Sequence, residues 1–429
     1  MKKIRIALLG LGTVGSGVWE ILKSNNKEVL NNSGYDIEIA KILVRDADRK
    51  RGVKVPKQLI TTNFNDIIED DSIKIIVEVM GGINPTKEYI LKSIRRGKHI
   101  VTANKMLLAI HGEEIFKLAK EEGVKVFYEA SVAGGIPIIN SISESLTANK
   151  IDDLYGIING TTNYILTKMQ SDNMSFEDAL KEAQEKGYVE EDMTSDIDAY
   201  DAQYKLSILA NLAFGTKVDL HNIYREGISE VTMEDMINAR ELGYCIKLLA
   251  IAKTEDDELE LRVHPTMIPL THPLANVSSC FNSIFIKGNV VGDLMFYGAG
   301  AGGLATGSAI VSDIIAIIKN INNESKYSFE ADKKILKIKN IDDIETVIYT
   351  KLNINNDSKI ISKVLEILEL NNVTLKSFNT NNINKEIELS LMTSKSREKN
   401  IKTAIENLKK NNIINKVSSF IRVEDFSKI

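Results

Sequence analysis

A chain of 429 residues is too long for a single hydrophobic core and predicts two or three domains. With 43% apolar and 26% charged residues it has the composition of an ordinary globular protein, and a net charge of -5 argues against a dedicated nucleic-acid binder, which would carry a basic face. Two cysteines, Cys245 and Cys280, exclude a disulfide scaffold, and no apolar run reaches the roughly 20 residues of a membrane span, so a cytoplasmic protein with neither nucleic acid nor membrane as partner is expected.

The N-terminal MKKIRIALLG places basic residues before an apolar run. The run breaks into GLGTVGSG and a helical pattern follows, so it predicts a first strand rather than a secretory signal. Gly10, Gly12 and Gly15 complete G-x-G-x-x-G between that strand and the helix-like TVGSGVWEILKS, where glycines permit a tight turn and close approach to a pyrophosphate. The second strand, IEIAKILV, ends on Arg45. An Arg there accommodates the 2′-phosphate of NADP, whereas an acid would hold the ribose of NAD; with Lys50 and Arg51 nearby, the pattern favours NADP over NAD. Strand IKIIVEVM, a helix from about Pro85 to Arg96 and strand HIVTA follow. The last of these carries Thr102 and delivers Asn104 and Lys105 beyond its carboxyl end, where ligands bind in open α/β sheets. A further helix and the strand KVFYEA complete a dinucleotide-binding domain over residues 1–135.

SVAGGIPII marks the crossing into a second domain, residues 136–302. In it DDLYGIINGTTNYILTKM reads as a strand, a polar turn Asn159-Gly160-Thr161-Thr162 and a helix; the turn either holds a small polar ligand or caps the helix. From Ala183 to Lys205 the carboxylates crowd together: Glu190, Glu191, Asp192, Asp196, Asp198 and Asp201. A helix starting near Asp196 or Asp198 would set Asp201 and Lys205 four residues apart on one face, as either an ordinary surface ion pair or two groups approaching one ligand. FNSIFIKGNVVG and DLMFYGAG read as strands, and GAGAGGLATGSAIVSDIIAIIKN as a turn and helix (303–320) returning to the nucleotide domain. A polar linker, 321–345, then leads to a βαββαβ pattern over 346–429, the ferredoxin-like order.

The motifs GLGTVG, VTANKMLLA, EASVAGGIPII, NGTTNYILTKM, AQEKGYVEEDMTSDIDAYDAQYK, THPLANV and GAGAGGLATGSAIVSDI together resemble the homoserine dehydrogenases, over nearly all of residues 1 to 320. The C-terminal region is similar to an ACT regulatory domain. The resemblance implies an α/β protein with a Rossmann-type domain, an α+β substrate and dimerisation domain, and a ferredoxin-like (ACT) domain. It implies NAD(P)H-dependent interconversion of aspartate 4-semialdehyde and homoserine, with a homodimer as the assembly. Lys205 then matches the proton donor and Lys105 the second essential lysine. Glu190, Asp201 and Asp196 match acids that hold the substrate, with Asn159 and Thr161 beside them. Thr13, Val14, Arg45, Lys105, Gly187 and Gly303 match cofactor contacts, to which Gly10, Gly12, Gly15 and Thr102 are added. Glu129, Val132, Gly134 and Ile136 match a loop whose main-chain oxygens bind sodium. Met193, Ala299 and Ala305 stand where relatives have Pro, and Ala199 where they have Gly, changes of loop stiffness. Ser358-Lys359 replaces the Pro-Gly of the ACT motif, which leaves threonine open as an effector. The alternative reading is a non-catalytic amino-acid sensor on a dehydrogenase scaffold, against which the retention of Lys105, Glu190, Asp201 and Lys205 argues; a phosphorylating semialdehyde dehydrogenase would need a nucleophilic Cys that neither Cys245 nor Cys280 supplies.

Overall fold

The computed structural model describes residues 2–188, 193–321, 336–355, 360–383 and 386–426. Glu190, Glu191, Asp192, Ser358 and Lys359 lie outside the described residues.

Six parallel strands form one sheet in the order Ile60–Thr61, Tyr35–Leu43, Lys2–Leu9, Ile73–Glu78, His99–Thr102, Val126–Phe127. In chain order this is 3-2-1-4-5-6, the Rossmann order, whose ligand crevice opens where the order reverses. Both faces are covered, which is why the strands read as apolar runs instead of alternating patterns. Ile6 and Leu8 point to one face, against Val18 and Leu22 of helix Thr13–Ser24 and Ile310 and Ile314 of helix Gly303–Lys319. Ala7 and Leu9 point to the other, against Ile90 and Ile94 of helix Thr86–Arg95 and Leu107 and Ile115 of helix Lys105–Glu121. Each fully buried Leu or Ile contributes about 1.5–3 kcal/mol. At the first turn Gly10 has φ 112, and a Cβ there would lie 2.8 Å from Val79 O.

Contacts gather the chain into two compact units: Met1–Gly160 with Asp201–Leu220 and Cys280–Leu336, and Thr161–Tyr200 with His221–Ser279 and Lys337–Ile429. The limits of these units do not coincide with the expected boundaries at 135/136, 302/303 and 345/346. The antiparallel strands Ile151–Ile157, Phe281–Gly288 and Gly292–Ala299 are not part of the six-stranded sheet but fall in the same unit, where loop 132–136 and turn 299–303 meet: Gly135 N donates to Ala299 O at 3.1 Å. The C-terminal region joins 221–279, because strand Ile414–Val423 runs parallel to the end of strand Glu258–Pro269. Part of the expected linker is also ordered, with Lys337 and Ile338 pairing with Glu258 and Leu259.

In the second unit Tyr244–Glu255 and Glu258–Pro269 form a hairpin whose two-residue loop, Asp256-Asp257, has positive φ at both positions, the turn that matches strand twist. The sheet continues through Ile414–Val423, Glu345–Asn355, Glu386–Thr393 and Leu375–Ile383, with helices Ile360–Leu370 and Glu398–Lys410 completing the βαββαβ order. Its order, fourth-first-third-second, is the ferredoxin-like one.

The parallel junction is fastened by buried charge. Arg422 makes a two-pronged pair with Glu398 at 2.8 Å per prong and reaches Glu226 at 2.7 Å, while Glu424 pairs with Arg262 and, at 2.6 Å, with Lys253. Burial alone would raise the Glu424 carboxyl, but Lys253 and Arg262 outweigh it and hold it at about 2. Burial, aided by Arg422 and Arg262, keeps His264 neutral, well below its usual 6.5. Both groups bind protons more readily in the unfolded chain, so acid destabilises the fold. Stability should fall first below pH 6.5 as unfolded His264 takes up a proton, and again from about 4.5 toward 2 as Glu424 is neutralised. Denaturant melts from pH 8 to 3 check this: Glu424→Gln should lose about 3 kcal/mol at neutral pH and show a flatter lower step.

Candidate active site

The carboxyl edge of the parallel sheet is set by a buried acid. Glu78, the last residue of its strand, accepts from Met80 N and Gly81 N at 2.8 and 3.1 Å through one oxygen and from the Thr102 hydroxyl at 2.6 Å through the other. Thr102 in turn accepts from Asn104 N at 3.0 Å. Asn104 caps the next helix by accepting from Leu107 N at 3.1 Å and donates to Gly82 O at 2.7 Å. Burial raises the Glu78 carboxyl, with Thr102 and the two backbone amides opposing the shift. Lys105, first residue of that capped helix, is thereby fixed at the crevice. Thr102, expected as a cofactor contact, is fully buried with its hydroxyl turned to Glu78.

The second lysine arrives on helix Tyr200–Phe214. The long helix does not start at Asp196 or Asp198: a short helix, Thr194–Ile197, takes up Asp196, and the long helix starts only after Ala199, held at φ 63. The four-residue spacing still acts as expected. Asp201 Oδ2 accepts from Lys205 Nζ at 2.7 Å and from Asn159 Nδ2 at 2.9 Å, and Oδ1 lies 2.7 Å from Lys105 Nζ. Lys205 Nζ also donates to Ile158 O at 2.7 Å. The Asp201 and Lys205 side chains are 5% and 10% exposed, Lys105 40%. Burial would raise the Asp201 carboxyl, but the two ammoniums outweigh it and hold it well below the carboxylate range. One permanently charged acid thus carries two lysines from distant parts of the chain. Such a cluster can place a donor N–H against a developing alkoxide.

The other expected residues divide between the units. Thr13 opens the first nucleotide helix, and a Cβ on Gly303 would lie 2.8 Å from Thr13 O, so these two adjoin. Arg45 is exposed just beyond its strand, while Asp46 Oδ1 is occupied by Asp48 N and Arg49 N at 2.9 and 3.2 Å. Glu129, Val132, Gly134 and Ile136 are buried in one loop with positive φ at Ala133 and Gly134, and the Glu129 carboxylate accepts from Ile139 N and Asn140 N, both at 2.8 Å. In the second unit Thr161 and Thr162 lie inside helix Gly160–Asp172, so the polar turn is shorter than expected, and the Thr161 hydroxyl donates to Tyr188 O at 2.8 Å. Gly187, at φ 72, ends the turn after helix Phe176–Glu185. Cys245 is buried and its thiol pushed up to about 11, which removes it as a nucleophile. Asn104 stands where the sequence placed it, beyond the strand end, while Glu78 and the Ile158 carbonyl were missed in the sequence; a lone acid closing the apolar run IKIIVE was the available signal for Glu78.

A Rossmann sheet with a lysine–carboxylate–lysine cluster at its carboxyl edge defines an NAD(P)-dependent oxidoreductase. The family models for homoserine dehydrogenase and for its NAD binding domain match residues 137–315 and 10–129. The chain is 38% identical to the homoserine dehydrogenase of Bacillus subtilis over 99% of both chains. A crystal structure of a homoserine dehydrogenase from Thiobacillus denitrificans superposes with a TM-score of 0.94 at 39% identity, covering 99% of each. A hyperthermophilic archaeal homoserine dehydrogenase in complex with NADPH matches 75% of this chain and all of its own, with TM-score 0.63 and 27% identity. The chain belongs to the homoserine dehydrogenase family, and its reaction is the NAD(P)H-dependent interconversion of aspartate 4-semialdehyde and homoserine.

Removing the charge on Asp201 takes from the buried Lys205 ammonium its 2.7 Å ion pair. Asp201→Asn should cost about 3 kcal/mol in chemical denaturation, with a parallel loss of turnover; a variant as stable and active as the parent would contradict the assignment.

Proposed function

We propose that Lys205 is the proton donor to the aldehyde oxygen and that Lys105 orients the same oxygen from the cofactor side. The reading rests on the shared carboxylate: Asp201 and Ile158 O fix Lys205 Nζ from two directions, which suits an atom that must meet a reacting oxygen. When bound, the nicotinamide supplies the hydride. A carboxylate has about four acceptor sites. Lys105, Lys205 and Asn159 take three, and the fourth serves the substrate ammonium; Glu190 and Asp196 are the further acids we assign to substrate binding.

NADP is the preferred cofactor. Arg45 stands exposed after the second strand and the neighbouring Asp46 is engaged in its own loop, so the local charge suits a 2′-phosphate; the archaeal relative solved with NADPH supports the same choice. The contacts are completed by Gly10, Gly12, Gly15, Thr13, Val14, Lys105, Gly187 and Gly303. The loop oxygens of Glu129, Val132, Gly134 and Ile136 would hold sodium, a hard cation that takes oxygen ligands and would offset the buried Glu129 and Asp313 carboxyls. The chain is read as cytoplasmic; no described helix is long and apolar enough to cross a membrane.

Steady-state rates with NADPH and NADH test these roles together. Lys205→Ala should lose about 10²- to 10⁴-fold in kcat. Arg45→Ala should raise the KM for NADPH roughly 10-fold and leave that for NADH near the parent. Exchanging sodium for choline should lower thermal stability; equal melting in both salts would remove sodium from the site.

We further propose a homodimer built on strand Gly292–Ala299. Its outward residues Met295 and Tyr297 are 37% and 54% exposed, with Phe281 stacked on Tyr297 at 5.1 Å, an apolar edge that a monomer would leave wet. Light scattering at micromolar concentration should give twice the chain mass, and Tyr297→Lys should shift it toward the monomer.

A further inference from the structure

In the first unit one buried side chain is left without use for its polar atoms. Asn282, second residue of strand Phe281–Gly288, is 1% exposed, and among the described residues neither its Nδ2 nor its Oδ1 meets a hydrogen-bond partner. An unmet carboxamide costs free energy that an apolar group would avoid, so stability does not account for an Asn here.

Its surroundings do. A Cβ built on Gly300 would lie 2.0 Å from Asn282 Cγ, so the flat carboxamide lies directly on the backbone of turn 299–302. On the other side, a Cβ on Gly160 would lie 3.6 Å from Asn282 Oδ1. Two turns therefore meet across one side chain. Gly160 follows Asn159, which donates to Asp201 at 2.9 Å. Gly300 leads into Gly303, and a Cβ on Gly17 of the first nucleotide helix would lie 1.9 Å from Gly303 O. The same turn closes on the metal loop, where a Cβ on Gly134 would lie 2.6 Å from Gly300 O. Because these approaches are backbone to backbone, there is little slack to absorb a shift.

We infer that Asn282 is a positioning residue of the reaction: its carboxamide sets the separation between the Asn159–Gly160 turn of the proton-delivering cluster and the Gly300–Gly303 turn seated on the cofactor helix. This rests on the roles assigned to Lys205 and Asp201. The unmet donor and acceptor are then groups that take up main-chain partners when the turns tighten on bound ligands, as hydrogen bonds at catalytic sites do. Displacing one turn by the thickness of an amide moves proton donor against hydride donor, an error of the size that costs about 100-fold.

Kinetics and melting of three variants test it. Asn282→Ala should lower kcat about 10- to 100-fold with both KM values close to the parent. Gly300→Ala should lower the melting temperature and kcat together, because its methyl collides with the amide. The double variant removes that collision, so its melting temperature should return toward the parent while kcat stays low. Recovery of kcat along with stability in the double variant, or parental kcat in Asn282→Ala, would show that the side chain only fills space and would overturn the inference. The parent enzyme in the same assay separates the two levels: an inactive parent sinks the functional reading and this inference with it, an active parent beside an equally active Asn282→Ala sinks this inference alone.

Discussion

Asp201 is the constraint from which the site follows. A carboxylate at 3% exposure is costly unless its charge is matched, and two ammoniums at 2.7 Å more than match it. The lysines come from residues about a hundred apart in sequence, one on the helix after strand His99–Thr102 and one on helix Tyr200–Phe214. The acid therefore serves as the common anchor for both. Everything that places Asp201 also places the chemistry: the four-residue helical step to Lys205, the Asn159 amide, and the Ile158 carbonyl at the end of strand Ile151–Ile157.

A second polar chain does the same for Lys105 from the sheet side. Glu78, Thr102 and Asn104 run from one strand end to the next and finish as a helix cap, so the crevice edge is tied by hydrogen bonds that lie wholly in the interior. In a low-dielectric setting such a network is strong when complete and expensive when broken. Its members are therefore better explained by geometry at the crevice than by net stability, since apolar residues of equal shape would fill the same space.

How far the sequence could be read follows from the range of the forces involved. The parallel sheet was legible because alternate residues of Lys2–Leu9 and Ile73–Glu78 are buried on both faces, giving uninterrupted apolar runs. The Asp201–Lys205 pair was legible because helical spacing is local. The Lys105–Asp201 contact was not, since no local pattern encodes an approach across a hundred residues; the family resemblance gave each residue a role but did not pair them. Helix boundaries failed where short polar segments compete: Asp196 and Asp198 looked like starts of the long helix, yet Asp196 lies in a separate short helix, Asp198 follows that helix, and the long helix begins only after Ala199. The grouping of the C-terminal region with 221–279 was invisible for the same reason as the lysine contact: the strand pairing that makes it joins residues over 150 apart, and the ion pairs across it, Arg422 with Glu226 and Glu424 with Lys253 and Arg262, have no local signature.

Ala199 shows how a strained backbone position can be tolerated. A left-handed non-glycine residue costs about 1–2 kcal/mol, and here it is fully buried, so the strain is held by its neighbours. Asp201 lies two residues on, with its ion pairs at 2.7 Å. Breaking a buried pair costs about 3–5 kcal/mol, more than the strain at Ala199. The ordering of these two energies explains why a left-handed alanine is compatible with an intact lysine cluster: the backbone yields at the turn because the charges at the start of the helix cannot.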